Sequence, residues 1–148
     1  MLRKVVVLVE LDETLNNWLA SVEDIASMSS VEKAAITGAG AEVFRDELEA
    51  ETNQRHRSNH DDKVFGHMAD HVTAQAKNVD GVMNGKSTVG WDNPYHAANA
   101  RRLNDGTKKY QADHFVTNLR ERSNVVEKVL LAEAALYKLK VKEAEAKS

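Results

Sequence analysis

Hydrophobic and polar positions divide the start of the chain into a strand and a helix. Val5 to Val9 form an unbroken apolar run of mostly β-branched residues, which predicts a strand over residues 3–10. Asp12 is a suitable helix N-cap, and apolar residues then recur every three or four positions, which is typical of an amphipathic helix. These apolar positions are Leu15, Trp18, Leu19, Val22 and Ile25.

A second helix is predicted from residue 31 to about residue 55. Gly38 and Gly40 lie inside it and weaken it by about 1 kcal/mol each relative to alanine. Their small size indicates that another part of the chain approaches closely there. Ser30 with Lys33 does not make a capping box, because that motif needs Glu or Gln at the third helical position.

In the middle of the chain, an entirely polar stretch is followed by a stretch in which apolar and polar residues alternate. Residues 53–63 are entirely polar, which predicts a loop. Val72, Ala74 and Ala76 alternate with polar neighbours, and a returning strand follows at residues 87–91. The glycines and asparagines between them favour a β-hairpin.

Two helices are predicted in the C-terminal third. A short one covers residues 95–103, and Asn104-Asp105-Gly106 ends it. A long one runs from His114 to about Lys142, and residues 143–148 form a frayed, flexible tail. The buried stripe of the long helix is predicted to contain Phe115, Leu119, Val126, Val129, Leu130, Ala134 and Tyr137.

The element order therefore predicts an α+β fold within one domain, residues 1–148. A small antiparallel sheet with a hairpin packs with two N-terminal helices and a long C-terminal helix. Trp18, Trp91 and Phe44 are expected in the core, with an interface position as the alternative for Trp91.

Composition excludes several function classes. The chain has 148 residues, 42% of them hydrophobic, and no cysteine, so disulfide scaffolds, thiol nucleophiles and cysteine zinc sites are excluded. The apolar run at Val5 to Val9 is too short for a membrane span or a signal-peptide core, so we expect a soluble protein without membrane contact.

Charge is unevenly distributed although the net charge is only −3. Residues 10–50 carry ten acids and two bases, whereas residues 101–148 carry eleven bases and seven acids. The two regions are either solvated faces or complementary surfaces for self-association. In the second case, reversing several acids among Glu42, Asp46, Glu47 and Glu49 would impair assembly without unfolding the chain.

Candidate chemistry is weak. His56 and His60, and likewise His67 and His71, have the spacing of helical zinc ligands, but neither pair carries the glutamate of a zinc protease, and solvated histidines are the better interpretation. No nucleophile elbow is present. Gly85-Lys86-Ser87 resembles the end of a phosphate loop, but aspartate occupies position 80, where that motif requires glycine.

A basic cluster surrounds the turn after the short helix. It consists of Arg101, Arg102, Lys108 and Lys109, with Tyr110 beside it. Such donors suit nucleic-acid phosphates. A solvated or subunit-facing patch is favoured, because the chain as a whole is slightly acidic.

Several segments together resemble one family. They are Gly66 to Val72, Ser87 to Trp91, Tyr95 to Lys108 and the pair His114-Phe115. In this order they are similar to the neck, or tail-completion, proteins of long-tailed bacteriophages, the small proteins that join head to tail. The likeness covers about residues 31–140. It departs from the family pattern at His114, where many members have proline, and at Met68 and His71, where leucine and serine are commoner.

The resemblance implies a structural virion protein without catalysis, metal or cofactor. It implies a homo-oligomeric ring, a hexamer, assembled in the host bacterial cytoplasm. The ring would lie between the portal or connector (stopper) side and the tail tube or tail terminator protein, and DNA would pass through it without sequence-specific binding. The implied structural and interface residues are Gly66, Val89, Gly90, Trp91, Tyr95, Leu103, Asn104, Gly106, Thr107 and Phe115.

The residues themselves add two expectations to this resemblance. The polar loop at 53–63 suits an element that becomes ordered on docking with a neighbour. For Gly106-Thr107 a role in the fold is preferred over an intersubunit contact, because glycine in such a turn usually answers a requirement for positive φ. A small nucleic-acid-binding or regulatory protein that uses the 101–109 cluster is the alternative function.

Overall fold

A computed structural model describes residues 27–56 and 64–147, together with positions 16, 19, 20 and 23. The described helices are α1 (Ser30–His56), α2 (Pro94–Asp105), α3 (Phe115–Glu121) and α4 (Ser123–Lys147). A 3-10 turn (Met68–His71) leads into strand β1 (Val72–Gln75), which pairs with β2 (Thr88–Trp91). These elements confirm the α+β class.

The N-terminal predictions fall mostly outside the described residues. The strand at 3–10 and the core position of Trp18 lie there. In the predicted first helix, the described positions 16, 19, 20, 23 and 27 are all helical, and Leu19 is 49% exposed.

Helix α1 begins with a capping interaction one residue earlier than expected. Ser29 Oγ accepts the backbone N–H of Glu32 at 3.1 Å and donates to its carboxylate at 3.2 Å. These bonds satisfy one free donor of the first turn and place a negative charge near the positive end of the helix dipole. The helix continues to His56, so the predicted loop is wrong for residues 53–56.

The two strands form an antiparallel sheet, as predicted. Val72 pairs with Trp91 and Ala74 with Val89. The connection at residues 76–87 is fixed to α1, because Thr37 Oγ1 donates to the carbonyl of Gly85 at 2.9 Å and lies 2.7 Å from Ser87 Oγ. The sheet and its connection therefore pack on α1.

The glycines of α1 permit close packing, as the sequence indicated. A Cβ at Gly38 would lie 3.3 Å from Ala76 Cβ, and one at Gly40 would lie 2.5 Å from a carboxylate oxygen of Glu133. Helix α1 therefore contacts the strand connection at one glycine and α4 at the other.

The core lies between α1, the sheet and the short helices. Its buried members are Leu48, Met68, Val72, Ala100, Phe115, Leu119 and Val125. Trp91 and Phe44 pack against this cluster and are partly buried, so their predicted core position is confirmed.

The predicted long C-terminal helix is interrupted at Arg122. This residue is extended (φ −70°, ψ 121°), and its carbonyl accepts the N–H groups of Val125 and Val126. Its guanidinium pairs with the buried carboxylate of Glu51 on α1. The interruption separates α3 from α4, and α4 continues to Lys147, so the predicted end near Lys142 is wrong.

The interruption also changes which face of α4 is buried. Val125 is 1% exposed, whereas Val126 is 40% and Leu130 57% exposed, and Ala134 is exposed as well. The predicted stripe assumed one continuous helix, and the extended residue resets the helical phase. The stripe is therefore correct for Phe115 and Leu119 and wrong for Val126, Leu130 and Ala134, whereas Val129 and Tyr137 are half-buried.

Within residues 27–56 and 64–147, no helix is both long enough and apolar enough to span a bilayer.

Candidate interaction surfaces

The segment that carries the family resemblance forms one structural unit around a turn. Gly106 has φ 81°, as expected for a glycine required by its backbone conformation, and its N–H donates to the carbonyl of Arg102 at 2.8 Å. Thr107 Oγ1 accepts the N–H groups of Lys109 and Tyr110. The geometry fits the fold role expected of Gly106-Thr107.

Asn104 connects this turn to α3. Its Oδ1 accepts the N–H groups of Val116 at 3.0 Å and Thr117 at 3.1 Å, and its Nδ2 donates to Thr117 Oγ1. Asp113 adds a bond from the N–H of Phe115. Asn104 therefore caps α3 from the end of α2, a role that needs the tertiary arrangement of both helices.

The aromatic residue after the turn enters the core. Phe115 is 1% exposed, packs edge-on against Trp91 at 6.4 Å between ring centroids, and contacts the ring of His56 at 4.6 Å. Trp91 Nε1 donates to the carbonyl of Met68 at 3.0 Å. Val89 and Leu103 pack against the same cluster. These four candidate residues (Trp91, Phe115, Val89 and Leu103) therefore hold the fold together.

The remaining candidates lie nearer the surface. Gly66 has φ 73° in the turn before the 3-10 segment, and Gly90 lies in β2 with open space at its missing Cβ. Tyr95 is 49% exposed and stacks on Phe65 at 4.4 Å. Of the ten candidate residues, Tyr95 is thus a large side chain available at the surface.

His96 is a buried polar residue that the sequence analysis did not identify. It is 2% exposed, its Nε2 lies 2.7 Å from the carbonyl of Phe65, and its ring stacks on His71 at 4.7 Å. Because a carbonyl only accepts, Nε2 carries a proton, and Nδ1 is buried without a hydrogen-bond partner. The signal was weak, since a helical histidine next to tyrosine has no distinctive pattern.

The histidines do not assemble a metal centre in the described residues. No group of three or more His, Asp or Glu side chains with suitable geometry occurs there. His71 Nδ1 lies 3.0 Å from Asp92 Oδ1, and His56 Nε2 lies 2.8 Å from Asp113 Oδ2. The predicted spacing of His56 and His60 on one helix face has no structural counterpart to compare, because His60 lies outside the described residues.

The acidic and basic halves of the chain meet inside one subunit. Helix α1 packs along α4, and Lys128 Nζ lies 2.8 Å from Glu47 Oε1. Arg45 on α1 is surrounded by three acids of its own helix, Glu42, Asp46 and Glu49. Every acid proposed for charge reversal already has a partner in the chain, so reversing them would replace attractions within the subunit by repulsions.

Glu51 is the most buried carboxylate among these ion pairs. It is 6% exposed, and it accepts hydrogen bonds from Arg122 and Arg55. Burial raises the pKa of Glu51, but the hydrogen bonds and charges of the two guanidinium groups outweigh it, and the net pKa is lowered. This pair fixes α1 to the start of α4.

An apolar groove runs between α1, β2 and α4. It has a volume of about 880 Å³, and its walls include Phe44, Val89 and Leu130. Glu133 lies at the groove against Gly40, and burial raises the pKa of its carboxyl group. The strand connection adds Val79, which is 85% exposed.

The basic cluster is exposed. Arg101 and Arg102 lie on the outer side of α2, and Lys108 and Lys109 follow in the turn. None of the four forms an ion pair with another residue of the described chain. They therefore present an unneutralised positive surface.

Comparison with known proteins identifies no relative of this chain. No family model, curated protein or solved structure matches the chain.

Proposed function

We propose that this chain is a structural subunit of the neck of a long-tailed bacteriophage. Copies of the chain form a ring, a hexamer, between the portal or connector and the tail tube or terminator protein, and DNA passes through the ring without sequence-specific binding. The protein is not an enzyme and acts in the virion, after assembly in the bacterial cytoplasm.

The observation that carries this proposal is the unit formed by residues 88–121. The segments that resemble neck proteins are continuous there: β2, α2, the Gly106-Thr107 turn and α3. Phe115 fills the core, and Asn104 caps α3. Residues that form the resemblance thus have defined structural roles within one continuous unit, and this supports the proposal.

Exposed apolar side chains give further support. Val79 in the strand connection and Leu130 on α4 are 85% and 57% exposed and line the same groove. Large apolar residues grouped on a surface are typical of proteins that assemble with partners. A ring subunit needs two different contact surfaces that close on each other.

The experiment is electron microscopy of the purified full chain, with mass determined by light scattering. Rings with six-fold symmetry support the proposal. The matched functional assay mixes the chain with tail-less heads and free tails from a phage that lacks its own joining protein, and scores joined particles. Absence of rings, alone and with heads and tails present, together with no joining, overturns the proposal.

A nucleic-acid-binding protein is the second candidate, because the four bases of the 101–109 cluster are exposed and unpaired. Fluorescence anisotropy with duplex DNA at increasing salt tests it. Tight binding that falls steeply with salt, and is lost when Arg101, Arg102, Lys108 and Lys109 are changed to glutamate, favours this function. Weak binding that the four changes leave unaltered excludes it.

A further inference from the structure

Helix α4 has a second apolar face that the rest of the described chain leaves uncovered. Val125 is the buried residue of this helix. Leu131 is 63% exposed and Ala134 is exposed as well, and Leu130, at the edge of the same face, is 57% exposed. An amphipathic helix normally has one apolar face, and a second exposed one indicates a contact with another molecule.

The charged residues on this face identify the partner. Glu127 and Lys138 are both exposed, and neither forms an ion pair in the described chain, whereas the adjacent Lys128 is paired with Glu47. Glu127 lies near the start of the face and Lys138 near its end. Two copies of the helix placed antiparallel would therefore bring each glutamate opposite a lysine.

We propose that this face binds the same face of a second copy of the chain, with the two α4 helices antiparallel. A two-fold axis between residues 132 and 133 places Glu127 opposite Lys138 and Leu131 opposite Ala134. The large side chain of Leu131 then meets a small one, so the helices approach closely. One register thus matches both size and charge, and every contact occurs twice.

This inference stands apart from the neck proposal. A two-fold contact does not propagate a six-fold ring, so the contact either pairs free chains before assembly or joins two rings face to face. A single helix pair is smaller than a standard stable interface, and we expect a dissociation constant in the micromolar range.

The test is analytical ultracentrifugation of the full chain over a wide concentration range. Glu127→Lys and Lys138→Glu each replace two attractive contacts by two repulsive ones, and each should weaken dimerisation by about tenfold or more. The double variant restores the contacts with reversed sign and should dimerise as the wild type does. An equimolar mixture of the two single variants should form a heterodimer.

Controls separate this contact from folding and from non-specific charge effects. Lys108→Glu changes an exposed lysine outside α4 and should leave dimerisation unchanged, and circular dichroism verifies that every variant is folded. Leu131→Asp should give a folded monomer. A wild type that stays monomeric up to hundreds of micromolar overturns the proposal, and so does a dimer that the single reversals leave unchanged. Ring formation by Glu127→Lys would separate the two proposals, because a cyclic ring does not need this contact.

Discussion

Replacing Gly106 by alanine tests whether the turn between α2 and α3 depends on glycine. Gly106 has φ 81° and ψ 168°, a region that residues with a side chain almost never occupy. A Cβ there would lie 2.8 Å from the backbone nitrogen of Ala112 and 3.1 Å from the carbonyl oxygen of Tyr110. The substitution therefore adds backbone strain and a steric clash with groups that cannot rotate away.

The backbone strain and the steric clash together give an estimate of the loss in free energy of unfolding. Strain of this kind costs about 1–3 kcal/mol, and relief of the clash must move the backbone of the 110–112 segment, which costs about 1 kcal/mol more. We expect the free energy of unfolding to fall by about 3 kcal/mol, a large share of the roughly 5–15 kcal/mol typical of a domain. The melting temperature should fall by about 6–12 °C.

Urea unfolding followed by circular dichroism measures this loss, with Gly81→Ala as the matched control. Gly81 has the same φ of 81°, but a Cβ there would have no neighbour within 4 Å. We expect a loss of about 1 kcal/mol at Gly81, from strain alone. If alanine at Gly106 costs no more than alanine at Gly81, the clash with residues 110–112 does not exist and the explanation of this turn is refuted.

Three further changes test the contacts that fix α3 and α4. Asn104→Ala removes the cap of α3 and should lower the free energy of unfolding by about 2 kcal/mol in urea unfolding. For Glu51, whose pKa is lowered, the stabilisation is present above its unfolded pKa near 4.5 and is lost as the pH falls through its folded pKa, so Glu51→Gln should flatten stability between neutral and acid pH. For Glu133, whose pKa burial raises, stability is lost as the pH rises through its folded pKa, so Glu133→Gln should be more stable than the wild type at neutral pH and lose that advantage in acid.

Each of these three predictions has a control variant or a result that would contradict it. Asn104→Asp keeps the accepting oxygen at the start of α3 and should retain most of the stability, and equal losses for both variants would contradict the capping role. Glu121→Gln removes an exposed carboxylate next to the Arg122 interruption. If it changes the pH dependence as much as Glu51→Gln does, the ion pairs of Glu51 are not the origin of the effect. A Glu133→Gln variant less stable than the wild type at neutral pH would show that the carboxylate is not penalised by burial.

Elements set by local chemistry followed from the sequence. The β-hairpin, the short helix that ends at Asn104-Asp105 and the positive φ at Gly106 were all predicted, because alternation, capping residues and glycine act within a few positions. The core positions of Phe115 and Leu119 were also predicted from spacing. The resemblance on which the functional proposal rests was also found in the sequence, since short local motifs carry it.

Contacts between distant segments were decided by the tertiary structure alone. Glu47 and Lys128 belong to the acidic and basic regions, which are far apart along the chain. The packing of α1 on α4 brings Lys128 Nζ to 2.8 Å from Glu47 Oε1. Asn104 looked like the end of one helix and is the cap of the next. The extended residue at Arg122 resets the phase of α4, which turns Leu130 and Leu131 outward. A period of 3.6 residues reveals an apolar face only within an unbroken helix, and at the break Arg122 forms an ion pair with a residue on another helix.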